Sequence, residues 1–527
     1  MNRMKKINKL IWVAGLIVLT FTGCTHNFEE INTNPDRPDK IDQPKLLLGG
    51  VIKNISYLAL SRGTAAVLGD YYVDQYVSMF NDAFNNTQTK EFYYDGRDVQ
   101  DMINLAEEQN QPHIQGMGLI IKSFMFQQMT DAFGDFPYTE ALKGKTDEVF
   151  TPRYDTQEDI YADLQVQLEK ANELLSQNSV EDIGSYDNLY GGDILKWRKF
   201  ANSLRLRLLM RISGKTDVSP KVMEMLHQPD KYPLMVNNDD NALFSYSDDL
   251  QSSWSPLYTA SQEKYDGTEF MSTTMEMHFK AMNDPRMKVY FSPTVKGVEN
   301  GEFIYAAVPN CIRDADESAY NGGDSYNSRK GYIFVPQKID VKYASPTVAQ
   351  GILLTYAEVQ FNLAEAREKG IISVGDAGTY YKNGIIASFD YWASRIPANF
   401  IEMKSMTNPP TEVFEAADVI PDPAYYEQEK VAYTGTQAEK LEKIGVQKWI
   451  ALYLCGIEGW SEWRRTGFPK EISVIPPNGL PSSSNINEWP RRIPYPQNEQ
   501  VYNVDQYQIA VGRQGADNLL TRVWWNK

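Results

Sequence analysis

The sequence predicts a mostly α-helical protein, with paired helices forming a scaffold and a loop-rich region carrying short strands. Three observations lead there. From Lys45 onward, apolar residues recur at spacings of three and four over much of the chain. Between about residues 229 and 346 that periodicity weakens, and Gly, Pro, Asn, Asp and Tyr become frequent. In Leu354–Ala366, small alanines at 357, 364 and 366 stand beside large apolar residues. Small residues let helices approach closely, as in tetratricopeptide-like helix pairs.

Taken in order, the first 23 residues read as an address. Arg3, Lys5, Lys6 and Lys9 form a basic head, Leu10 to Phe21 an apolar run, and Thr22-Gly23-Cys24 a close of small residues. This is the form of a secretory signal. The run falls short of the roughly 20 apolar residues that a spanning helix needs. A cysteine directly after Gly23 gives it the form of a bacterial lipoprotein signal, with Cys24 the lipidated first residue of the mature chain. The competing reading is an ordinary signal with an incidental cysteine. Removing the four positive charges takes the net charge from −17 to −21. Residues 24–44 are polar, hold Pro35, Pro38 and Pro44, and read as a flexible tether.

Leu46–Leu60 and Thr64–Phe80 read as consecutive helices, and His113–Phe133 as a densely apolar one. Asp155–Ser176 opens on a Thr156 cap and aligns Ile160, Leu164, Leu168, Ala171 and Leu175. Asp193–Ser213 aligns Trp197, Ala201, Leu204, Leu208 and Ile212, with Arg205, Arg207 and Arg211 elsewhere on its wheel. After the loop-rich stretch, helices are expected at Thr347–Lys369, Asp376–Trp392 and Thr436–Trp463. In the last, Trp449, Trp460 and Trp463 share an apolar face and read as core.

Composition excludes several functions. An excess of 69 acidic over 52 basic residues argues against a general nucleic-acid binder. Three cysteines exclude a disulfide framework, and Cys311 and Cys455 read as core thiols. Four histidines leave little for a His-rich metal site. No phosphate-binding glycine loop, His-Glu-x-x-His, Gly-x-Ser-x-Gly or Cys-x-x-Cys occurs. A glycosidase carboxylate pair needs no fixed spacing and stays open. Asn237–Asn241 and Asp314–Glu317 offer oxygen ligands without EF-hand spacing and read as solvated acidic turns. No cofactor or metal is expected.

Several boxes, read together, resemble one family. Thr130-Asp131-Ala132-Phe133-Gly134-Asp135-Phe136-Pro137-Tyr138-Thr139-Glu140-Ala141-Leu142 resembles the TDxxGDxPYxEAL box of the SusD/RagB nutrient-binding outer-membrane lipoproteins. So do Tyr190-Gly191-Gly192-Asp193 with the helix after it, Asn283-Asp284-Pro285-Arg286, Tyr356–Ala366, Glu458–Arg465, Arg492–Pro496 and Thr521–Trp525. Phe28–Pro35 resembles the mature start of one branch. A prior of about 150 residues per domain divides the chain into three or four; the resemblance implies instead one helical domain over 45–527, with a loop-rich insertion at about 229–346. It further implies an outer-membrane, cell-surface lipoprotein that caps a SusC-like TonB-dependent transporter and binds a nutrient, often a glycan, without cleaving it. The alternatives are a surface glycoside hydrolase and a structural envelope lipoprotein that binds only protein.

A sugar site needs exposed aromatic platforms flanked by polar side chains. Two segments offer these outside the apolar helical faces: Phe80–Asn86, with Asn81, Phe84 and Asn85, and Gln251–Tyr258, with Trp254 and Tyr258. Trp254 ranks first, having no apolar periodicity around it. Tyr320 and Tyr326 beside Gly322-Gly323 complete the expected set.

Overall fold

The computed structural model describes residues 41–59, 68–74, 83–258, 269–310, 319–331, 333–334, 345–397, 401–402, 412–413, 415–473 and 488–527. The lipoprotein signal, Cys24, the tether to residue 40, Cys311 and the 314–317 acidic turn lie outside these. The helices are Lys45–Ala59 (α1), Ala83–Glu108 (α2), Pro112–Phe133 (α3), Gln157–Leu175 (α4), Ile194–Ile212 (α5), Ser219–His227 (α6), Thr273–Met282 (α7), Tyr356–Glu368 (α8), Ala377–Ser394 (α9), Gln437–Ala451 (α10), Glu458–Thr466 (α11), Gln497–Tyr502 (α12) and Val504–Gln514 (α13), with a few shorter turns between them. Among the described residues, no helix is long and apolar enough to cross a membrane.

Sequential packing builds the scaffold: α1 on α2, α2 on α3, α3 on α4 and α4 on α5, then α8 on α9 and α10. α8 also touches α5, which joins the two groups. The starts of these helices are written in the chain. Thr156, Asp193, Thr355, Asp376 and Thr436 each accept a backbone N–H of the first turn. α3 is buried on nearly every side, as a central pillar must be. One continuous apolar core runs from Leu48 to Trp525.

Polar side chains cross that core. Arg207 pairs with Glu358 at 2.6 Å; Arg211 meets Asp131, Glu458 and Glu462. Lys448 meets Glu462, and Arg465 meets Glu365 and Glu462. All these side chains are nearly inaccessible to solvent. Arg207 and Arg211, which lie off the apolar stripe, are nonetheless buried. They are buried because α8 and α11 bring carboxylates to them. Tryptophans seal the same region: Trp460 donates to Pro490 O at 2.9 Å, and Arg464 stacks over the Trp460 ring at 3.4 Å. Trp197, Trp449 and Trp463 are buried, as is Cys455.

Strands are short and pair in twos: Tyr72–Asp74 (β1), Phe136–Pro137 (β2), Tyr154–Asp155 (β3), Ala242–Phe244 (β4), Glu269–Met271 (β5), Gly351–Leu354 (β6), Ile401–Glu402 (β7) and Glu412–Val413 (β8). The pairs are β1–β5, β2–β3, β4–β6 and β7–β8, all antiparallel. Three expected helices are corrected. β1 lies within Thr64–Phe80, where Tyr71-Tyr72-Val73 favours extended chain. β6 occupies the start of Thr347–Lys369, and Thr355 caps the helix only after it. Thr436–Trp463 is two helices, broken where Leu454 and Gly456 take positive φ.

Candidate functional site

Two exposed tyrosines stand on a turn whose shape is fixed from beneath. Tyr320–Gly322 and Asp324–Tyr326 are single 3-10 turns joined at Gly323. Asn321, Gly322 and Gly323 all have positive φ, which only residues without a demanding Cβ adopt readily. Asn321 Nδ2 donates to Ala307 O at 3.1 Å and to Asn327 Oδ1 at 2.8 Å. Asn327 Nδ2 in turn reaches Tyr320 O and Gly323 O. The Tyr326 ring lies against Gly322, 3.5 Å from where a Cβ would stand. Tyr320 is 37% exposed and Tyr326 45%. The Asn-Gly-Gly run was the signal for this turn, and Asn321 is the positioning residue that the sequence reading did not single out.

The turn is stitched to the β1–β5 pair. Met271 N donates to Ser328 O, Ser328 N to Ala306 O, and Phe270 bridges Arg329. In the β1–β5 register Asp74 faces Glu269. Lys330 forms an ion pair with Glu269 and sits 5.1 Å over the Tyr72 ring. Beneath it, Asp70 is buried, accepting from Asn310 Nδ2 at 2.7 Å and from Thr274 Oγ1. Burial pushes its carboxyl up to about 7, against the pull of those two donors.

Trp254 follows the Gln251–Ser253 turn. It is half-buried, donates to Asp248 O at 3.4 Å, and meets Tyr258 edge to face with centroids 5.2 Å apart. Tyr258 is buried, so it supports Trp254 and presents no platform of its own. Ser255 N holds this segment to Pro346 O. Among the described residues no ring contact joins Trp254 to Tyr320 or Tyr326. Asn81 lies outside the described residues. Phe84 and Asn85 are described in backbone only, in the first turn of α2, so the stretch expected outside the helical faces is helical from Ala83 onward.

A SusD-like family model, described as starch-binding and associating with the outer membrane, matches residues 57–496. The chain belongs to the SusD-like family. A SusD homolog of Bacteroides fragilis superposes with a TM-score of 0.72 at 27% identity, covering 92% of this chain and 99% of the other. A second from the same species gives 0.73 at 26%, covering 92% and 100%. A chitin-binding SusD homolog from Flavobacterium johnsoniae gives 0.69 at 25%, covering 92% and 97%. No curated protein matches the chain in sequence. The SusD-like boxes fall in the scaffold. Asp131 belongs to the ionic core, and Asp187 Oδ2 accepts from Gly192 N and from Trp197 Nε1, locking the Gly-Gly turn to α5. Asp284 holds Arg286 at 2.6 Å. The resemblance therefore fixes the fold, while Trp254, Tyr320 and Tyr326 lie outside these boxes.

Proposed function

We propose that this SusD-like protein is a non-catalytic, cell-surface glycan-binding lipoprotein, anchored through Cys24, that delivers its ligand to a SusC-like TonB-dependent transporter. The observation that carries the reading is the braced turn that holds Tyr320 and Tyr326 outward on a SusD-like scaffold. A rigid, half-exposed ring offers a flat face to sugar C–H groups at little entropic cost. Trp254 supplies a further ring, and Asn81, Phe84 and Asn85 complete the proposed set on the sequence reading alone. Against a glycosidase stands the use made of the buried acids: Glu358, Glu365, Glu458 and Glu462 are each tied to a cation of the scaffold.

The test is calorimetry with starch and chitin oligosaccharides, run beside a reducing-sugar assay on the same glycans. Binding without sugar release is expected. Release of reducing ends would overturn the non-catalytic reading, and the absence of binding to any glycan in a broad panel would favour a protein-only envelope role. In cells, Cys24→Ala should leave a folded protein in the soluble fraction, and mild detergent extraction of the natural protein should bring down a large barrel protein.

A further inference from the structure

The Asn237–Asn241 segment, which the sequence offered as a solvated acidic turn, is not wholly solvated: Asp240 is buried. Among the described residues, no group of acidic, His or Cys side chains is arranged to hold a metal. Asp240 is engaged instead by Lys199 at 2.9 Å. The rest of the turn forms one wall of a pocket of about 650 Å³; Gln350 and the second half of α9 form the others. That volume lies in the range of small-molecule sites. None of Trp254, Tyr258, Tyr320 and Tyr326 lines it.

The walls are fixed. Asn238 Nδ2 donates to Ala387 O at 2.9 Å, Asn241 Oδ1 accepts from Tyr356 N at 2.6 Å, and Gln350 Oε1 accepts from the Tyr391 hydroxyl at 3.3 Å. Several groups of the lining are unengaged by protein among the described residues, among them the Asp239 and Asp390 carboxylates, the Tyr356 hydroxyl, Asn383 Oδ1 and Arg395 Nη1. Asp390 is exposed, and partial desolvation raises its carboxyl. Leu243 and Ile386 add apolar surface to the same lining.

We propose that this pocket is a second binding site, which takes one or two rings of a neutral sugar. Preset acceptors and hydroxyls match the alternating donors and acceptors of a sugar's hydroxyl rim, and the apolar pair suits its C–H face. Charge narrows the class. Asp239 and Asp390 outnumber Arg395, which keeps its charge while its Nε and Nη2 donate to Val348 O and Thr347 O. The lining thus carries a net negative charge, which favours a neutral sugar over a uronic acid.

The test is saturation-transfer NMR and calorimetry on the detergent-solubilised mature protein with D-glucose, N-acetyl-D-glucosamine, maltose, chitobiose and D-glucuronate. At least one neutral sugar is expected to bind, and D-glucuronate is not. Asp390→Ala should weaken that binding at least tenfold. Ser394→Trp, at the exposed rim, should block it by bulk, and melting temperatures check that both variants fold. Trp254→Ala, run in parallel, should leave this site intact, which separates it from the loop face and from the reading above. Failure of every neutral sugar, equal binding of D-glucuronate, or unchanged affinity in both pocket variants overturns the proposal.

Discussion

The helical scaffold and the loop face solve opposite problems with similar residues. In the scaffold, charged and aromatic side chains face inward. Arg211 touches three carboxylates, and Arg464 lies between the Trp460 and Trp525 rings. On the loop face, the Asn321 and Asn327 carboxamides hold a turn, and the tyrosines are left outside. The first arrangement tolerates no loss, because each buried charge depends on its partners. The second tolerates the loss of a ring, because little packs on it. Removing a side chain should therefore separate the regions cleanly: stability falls in one and affinity in the other.

The largest effect is expected from Arg211→Met. Methionine fills much of the volume but leaves Asp131, Glu458 and Glu462 facing one another in the core. Breaking a buried network by removing one partner costs about 3–5 kcal/mol. Equilibrium urea denaturation should show a loss of that order, or the protein should fail to accumulate. A loss under 1 kcal/mol would show that water or proton uptake relieves these acids, and that the contrast between regions is weaker than drawn.

That contrast also explains what the sequence could and could not disclose. Helix starts were legible because Thr156, Asp193 and Thr436 are local signals that act within one turn. Trp197, Trp449 and Trp460 were legible as core because apolar residues recur around each at helical spacing. Arg207 and Arg211 were not, because their partners Glu358 and Glu458 are distant in sequence and no periodicity announces them. α2 was missed because its opening, Ala-Phe-Asn-Asn-Thr-Gln-Thr, is polar and poor in helix formers. On the loop face, Asn321-Gly322-Gly323 marked the turn and Tyr320 and Tyr326 were found beside it. Burial of Tyr258 depends on the neighbouring Trp254 ring and its surroundings, and the spacing of residues does not encode that.

Next in size is a pH dependence rooted at the junction of the two regions. Asp70 has a folded pKa of about 7 against 3.8 for the free side chain. The native state thus holds its proton more tightly, and stability falls as pH rises between about 4 and about 7, by at most about 1.4 kcal/mol per pH unit. Above that window the cost is constant. Asp70→Asn keeps an acceptor for Asn310 Nδ2 and offers an N–H₂ to Thr274 Oγ1, with no charge to bury. It should match the natural protein near pH 4 and exceed it at pH 8. Parallel stability curves across that range would mean that water reaches Asp70 and that the junction is less sealed than the geometry indicates.

Smaller shifts are expected at the rings. Tyr326→Ala should leave unfolding free energy within about 0.5 kcal/mol, while glycan affinity falls about tenfold, near 1.4 kcal/mol. Trp254→Ala should lower affinity similarly, with a modest stability loss from its contact with Tyr258. A large fall in melting temperature with affinity preserved would place Trp254 with the scaffold.

The finest distinction lies in the brace beneath the tyrosines, where Asn321→Gly changes no ring. Glycine relieves the positive φ of 54° at this position. It also removes the side-chain bonds to Ala307 O and Asn327 Oδ1, each contributing about 1 kcal/mol. These two terms oppose each other, so overall stability should stay within about 1 kcal/mol. What changes is the spread of conformations from which a ligand must select the competent one. Affinity should therefore fall by roughly threefold, about 0.7 kcal/mol, and amide exchange at residues 320–327 should quicken while exchange in α3 and α5 stays unchanged. Unaltered affinity alongside faster exchange would show that Tyr320 and Tyr326 bind as independent rings, with no dependence on a preset turn. That result would reduce the difference between loop face and scaffold to one of burial alone.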